Sequence, residues 1–296
     1  MASLQSGLSK MQTFDLADLA SDRRRSSIVL PPIFDSQGAQ ADYLRALRAM
    51  LRGISAEVRQ NVLPAAEAEL ATARDRLQRD MNSRAFDLLG SVARALVEIA
   101  ERLVERILQT ERRRHTRRWL GTVRSALGID MAAVVRDEDL DGYLETAVTR
   151  NVGLIQSLAD ETVSGVRVAI TNAILLGRTV SQLRKDLTAR FAISDRRAKM
   201  IARDQIAKTN SDLNRIRHSQ AGLNEYEWQD ADDERVRKTH HAMNGRICRY
   251  DDPTVYFDGK DWVSRSGIGG VAKQAGEDFV CRCVGKAIVR FNGVRV

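Results

Sequence analysis

A chain of 296 residues with a formal charge of +8 and 43% hydrophobic residues can fill a core and is long enough for two domains. No run approaches eighteen uncharged apolar residues, which excludes a membrane-spanning helix. The stretch from Met1 to Ala20 lacks the charged start and continuous apolar run of a secretory signal, so the cytosol is the expected compartment. Aromatics make up only 5% beside abundant Ala, Leu and Arg, a composition that favours helix. Only eight of the 47 basic residues are lysines. Arginine forks suit phosphate, and a pI near 9.7 points to an acidic partner such as nucleic acid. The alternative is a set of arginines that simply solvate helix faces.

Residues 1–38 read as a flexible basic arm. Arg23, Arg24 and Arg25 offer charge, and Pro31-Pro32 breaks any regular element. From Asp42 a helical period takes over, with Leu44, Leu47, Leu51 and Ile54 on one stripe and Val92, Leu96, Ile99, Leu103 and Ile107 on a longer one. Ala65 to Met81 is Ala-rich with Glu and Arg, as in a solvated helix, and Pro64 marks a first turn or a kink. Some of these helices should exceed about 40 Å at 1.5 Å per residue. Arg112, Arg113, Arg114, Arg117 and Arg118 form the densest basic run. It is placed where one helix ends and the next begins, as a nucleic-acid contact or as complement to a helix C-terminus. Trp119 and Leu120 beside it read as core anchors.

A second helical block covers about Leu140 to Gln220. Gly177 is a stop, Thr179-Val-Ser-Gln182 is a capping box, and Ser194 suggests another helix start near Asp195. Val166, Ile170, Ile174, Leu183 and Leu187 should share a core. After Gly222 the composition changes: Tyr226, Trp228, Tyr250, Tyr256, Phe257 and Trp262 crowd together, with seven glycines between Gly245 and Gly285. Val255 to Val263 predicts a hairpin around Asp258-Gly259, and Val284 to Phe291 a final strand. The expected fold is α+β. A mostly helical body over 39–220 precedes a small module over 221–296 with a short antiparallel sheet.

Within that module stand, in order, Tyr226-Glu-Trp228, Asp233-Glu-Arg-Val-Arg-Lys-Thr-His240, Asn244-Gly245, Asp251-Asp-Pro253 and Cys281-Arg-Cys283. This ordered set resembles the C-terminal signature of the Mu-type F family of phage head-morphogenesis proteins, also called minor head or minor capsid proteins. Asn151 to Ile155, Gly177 to Thr179 and Ala202 to Gln205 resemble the segments preceding it. Asp204-Gln205 departs from the Thr-Glu of many relatives. The resemblance covers roughly residues 115–296. It carries over Trp228, Asp233, Glu234, Arg235, Arg237, His240, Gly245, Asp252, Pro253, Cys281, Arg282 and Cys283 as signature positions. It implies an assembly role in the head interior or at the portal vertex, first in the host cytoplasm and then in the virion. The implied partners are a portal protein and a major capsid or scaffold protein; the arginine surplus adds double-stranded DNA.

The residues themselves allow three chemistries. Asp233 can cap a helix that carries His240, with Arg235 and Arg237 projecting from it. His240 or His241 with Cys248, Cys281 and Cys283 is a legal zinc set, although Cys-x-Cys is not the usual spacing; otherwise Cys281 and Cys283 are small buried residues on the last strand, with Arg282 outward. His240 with Asp233, Glu234 and Arg237 can be drawn as an RNase-like hydrolytic site. There is no phosphate-binding glycine loop and no Ser-His-Asp arrangement, so the expectation is a protein that is not an enzyme.

Overall fold

The computed structural model describes residues 14–20, 26–72, 83–135 and 140–291. The elements, in chain order, are α1 (Leu16–Leu19), β1 (Ser27–Val29), α2 (Gln37–Glu57), a π turn (Val58–Val62), α3 (Leu63–Thr72), α4 (Ser83–Leu127), α5 (Asp141–Leu175), α6 (Val180–Gln220), β2 (Glu225–Gln229), α7 (Lys238–His241), β3 (Ile247–Arg249), β4 (Val255–Phe257), β5 (Trp262–Ser264), a 3-10 turn (Arg265–Ile268) and β6 (Val284–Arg290). The fold is α+β as expected. The 45 residues of α4 and the 41 of α6 correspond to about 67 and 61 Å of helix.

The chain forms two compact units, 1–36 with 109–144 and 204–296, and 37–108 with 145–203. This partition differs from the expected 1–38, 39–220 and 221–296. In the first unit the six strands are all antiparallel, in the order β1-β6-β2-β3-β4-β5. The supposed arm supplies the edge strand, with Ser27 opposite Arg290 and Val29 opposite Ile288. Apolar side chains explain why it is held: Leu16, Leu30 and Ile33 are buried with Trp119, Val123, Leu223, Val289 and Phe291. The Ile33 carbonyl accepts from Asn210 at 2.7 Å and Asn214 at 3.1 Å. Arg23, Arg24 and Arg25 lie outside the described residues.

In β2 the alternation buries Tyr226 and Trp228 and leaves Glu225, Glu227 and Gln229 half-buried. These aromatics join Met243, Cys248, Tyr250, Tyr256, Cys281 and Cys283 in a second core. The β4–β5 hairpin forms as read: Asp258 accepts from the amides of Lys260 and Asp261, and Gly259 takes φ +108°.

The second unit is helical. Tyr43 donates to Asn151 at 2.5 Å, Arg48 pairs with Asp195 at 2.6 Å, and Val166, Ile170, Leu183 and Leu187 are buried. Pro64 is the second residue of α3, with Leu63 between it and the π turn. Its ring crowds the carbonyl four residues back and it brings no N–H, which the wider turn accommodates. Three expectations fail here. The buried stripe of α4 is Leu89, Ala93, Val97, Ala100, Val104 and Leu108, leaving Ile99 and Leu103 exposed. Ser194 starts no helix: α6 runs through it, and its hydroxyl meets the Arg190 carbonyl and Thr162 Oγ1. In α4, helix continues unbroken through the basic run, which contains neither Gly nor Pro.

Candidate functional site

The chemistry-bearing residues converge where the 278–283 loop meets α7. Lys238 to His241 is a single turn, so Asp233 caps nothing and His240 sits near the helix start, against expectation. Asp233 instead accepts the Arg235 amide and pairs with Arg282, whose guanidinium holds the carboxyl down at about 2. Arg237 donates to the Phe279 carbonyl at 2.7 Å and lies 3.5 Å from Asp278. Glu234 is exposed. These contacts pin the loop onto the segment leading to His240.

His240 is 2% exposed, with Trp228 edge-on at 5.9 Å between ring centroids. Its Nδ1 lies 3.3 Å from Cys281 Sγ and 3.5 Å from Cys283 Sγ, and its Nε2 lies 3.3 Å from Asp278 Oδ2. The Cys283 thiol, donating to Cys281, draws the Cys281 thiol down against burial, and His240 adds to the effect. Cys283 is pushed up by that neighbour and by burial, while His240 is raised first by its bond to Cys281. Burial would raise Asp278, but Lys273, the Phe279 amide and His240 bring it to about 2. The two cysteines precede β6 rather than lying on it.

Cys248 is not in this group. It sits in β3 opposite Tyr226 and Tyr256, its Sγ faces the Arg246 carbonyl at 3.7 Å, and burial pushes its thiol up to about 11. His241 is drawn away as well, its Nδ1 lying 2.8 Å from buried Asp230. The remaining signature positions shape turns. Gly245 has φ +73° and donates to the Trp228 carbonyl, and Asp252, before Pro253, accepts from Thr254.

Several important residues carry no motif. Arg265 is fully buried and donates to the carbonyls of Val255, Val271 and Lys273 at 2.9, 3.2 and 2.7 Å, clamping the Gly-rich segment. Gln274 accepts from Tyr226 and donates to the carbonyls of Arg249 and Tyr250. Asp204, at the position that departs from the family pattern, accepts the Val280 amide at 2.6 Å. Val280 has φ +53°, strained for a β-branched residue, so this bond helps hold the turn that presents Cys281. Asp278 could have been suspected from its place three residues before Cys281; Arg265 had no such signal.

The basic run is partly spent inside the fold. Arg112 pairs with Asp141 and Arg114 with buried Glu111, leaving Arg113, Arg117 and Arg118 exposed. Trp119 is 1% exposed, the anchor expected.

Residues 164–285 match the family described as phage Mu protein F like protein, so this segment is similar to that family. The match runs from within α5 through the loop carrying His240, Cys281 and Cys283. The chain is also similar to an uncharacterized protein of Haemophilus influenzae, 30% identical over 167 residues, which is 55% of this chain and 33% of the other. It thus spans about a third of that relative's length. No solved structure matches it.

Proposed function

We propose that this chain is a minor head protein acting in capsid assembly, attached to the portal vertex or the capsid interior. The family segment carries the reading, because its signature residues lock one loop rather than open an active site. His240 is buried, so it offers no general acid or base to a polynucleotide in the RNase-like arrangement. Arg237 and Asp233 are occupied by the loop they hold. In this reading the role is structural, in the virion and reached from the host cytoplasm. Among the described residues no helix is long and apolar enough to cross a membrane. The partners are a portal protein and a major capsid or scaffold protein. Co-expression with a portal protein of the same phage should give a complex on size exclusion, and purified virions should contain the chain. Absence from both rejects the assignment.

A second reading, contact with packaged double-stranded DNA, rests on Arg113, Arg117 and Arg118, exposed at neighbouring positions of α4. Binding driven by such phosphate contacts should weaken steeply with salt, with a slope of about −0.9 per phosphate neutralised. A triple Arg→Gln variant should reduce that slope by about 3. An unchanged slope removes these arginines from the interface.

A further inference from the structure

We propose that His240, Cys281 and Cys283 form a binding site for Zn²⁺, with Asp278 orienting the imidazole and a water molecule completing the tetrahedron. The site stands whether or not the chain assembles heads. His240 Nδ1 is 3.3 and 3.5 Å from the two sulfurs, and all three donor atoms lie within 4.8 Å of one another. Tetrahedral zinc, with Zn–S near 2.3 Å and Zn–N near 2.0 Å, sets its donors about 3.5–3.8 Å apart. The side chains already stand close to that separation.

Charge agrees with spacing. All three residues are buried, and a buried ion must be neutralised by its ligands. Two thiolates and a neutral imidazole cancel Zn²⁺. The imidazole must then bind through Nδ1 and keep its proton on Nε2. Asp278 Oδ2 faces that Nε2 and selects this tautomer, the usual arrangement behind a zinc-bound histidine. Lys273 at 2.7 Å and Arg237 at 3.5 Å hold the Asp278 carboxylate in place. Finally, the strained Val280 lies directly before Cys281, anchored by Asp204. Backbone held in a sparsely populated conformation is typical of ligand clamps.

The same atoms can be read as a Cys-His-Asp nucleophile. Cys281 is only 5% exposed, however, and a second thiol stands against it, whereas a nucleophile needs access to its substrate. Two sulfurs and one nitrogen around a borderline-soft ion make the better match.

The test uses the full chain, produced with zinc in the medium and purified under reducing conditions without chelator. Elemental analysis should give one zinc per chain. Cys281→Ser and Cys283→Ser should each reduce it to background, while Cys248→Ser keeps it. Replacement by Co²⁺ should give the intense visible bands of tetrahedral thiolate coordination. Should the serine variants fail to fold, alkylation of the wild-type chain decides: zinc should protect Cys281 and Cys283. Background zinc in folded wild-type protein after anaerobic reconstitution overturns the proposal. So does zinc that survives both serine substitutions, or thiols as reactive with zinc as without it.

Discussion

At the scale of single residues, the first unit depends on buried polar groups that hydrophobic patterning does not show. His115 is buried and meets Asn214 Oδ1 at 2.9 Å; the Asn214 amide donates to Ile33, so His115 must supply the proton from Nε2. Burial, with Arg217, Arg114 and Arg118 nearby, lowers its pKa to about 4 despite the Asn214 bond. His218, against Tyr250 at 2.7 Å, falls to about 3, first through burial and then through His115. Both hold a proton less tightly folded than unfolded. Their contribution is therefore complete above the ordinary value of about 6.5 and declines as pH falls towards 4. The melting temperature should drop between pH 7 and 5, and His115→Gln should flatten that slope, by an amount corresponding to a few kcal/mol. Equal slopes in thermal melts reject this role. Sequence alone brought His240, Cys281 and Cys283 together because the signature is compact. It wrongly added Cys248, since nothing in the spacing shows that β3 turns this thiol into the aromatic core. It missed Asp278 and Arg265, whose partners are fixed only by folded loops.

At the scale of elements, local chemistry was legible where it was complete. Gly177 in the left-handed conformation ends α5. The Thr179 amide donates to Gln182 at 2.9 Å, while Thr179 Oγ1 accepts the Gln182 amide at 3.2 Å, closing the capping box. Thr179→Ala should cost about 1 kcal/mol. This should appear as a lower urea midpoint with an unchanged m-value; an unmoved midpoint means the cap contributes nothing. Ser194 also carries a hydroxyl but has no Gly or Pro shortly before it, so the helix continues and the hydroxyl bonds back to Arg190. In α4 the largest apolar residues do not mark the buried stripe. Ala93 and Ala100 lie on the buried face, where small side chains let neighbours approach closely, and Ile99 is left 54% exposed.

At the scale of the whole molecule, residues 26–36 of the expected arm are structural: the pairing of β1 with β6 is a long-range event that no local pattern encodes. Deleting residues 1–36 removes β1, Leu16, Leu30, Ile33 and the carbonyl that accepts from Asn210 and Asn214. It also bares the β6 edge, and a bared edge invites intermolecular pairing. The truncated chain should show higher-order species on size exclusion and a lower melting temperature; a monomer with unchanged melting rejects the claim. The same pairing has a consequence in time. At about 5–20 residues per second, the roughly 250 residues between these strands take on the order of 10–50 s to synthesise. During that interval β1 has left the ribosome without its mate, and the helices encoded between them can settle first. Closure of the sheet is thus a late event of biosynthesis, and the newborn chain carries an unpaired strand until β6 emerges.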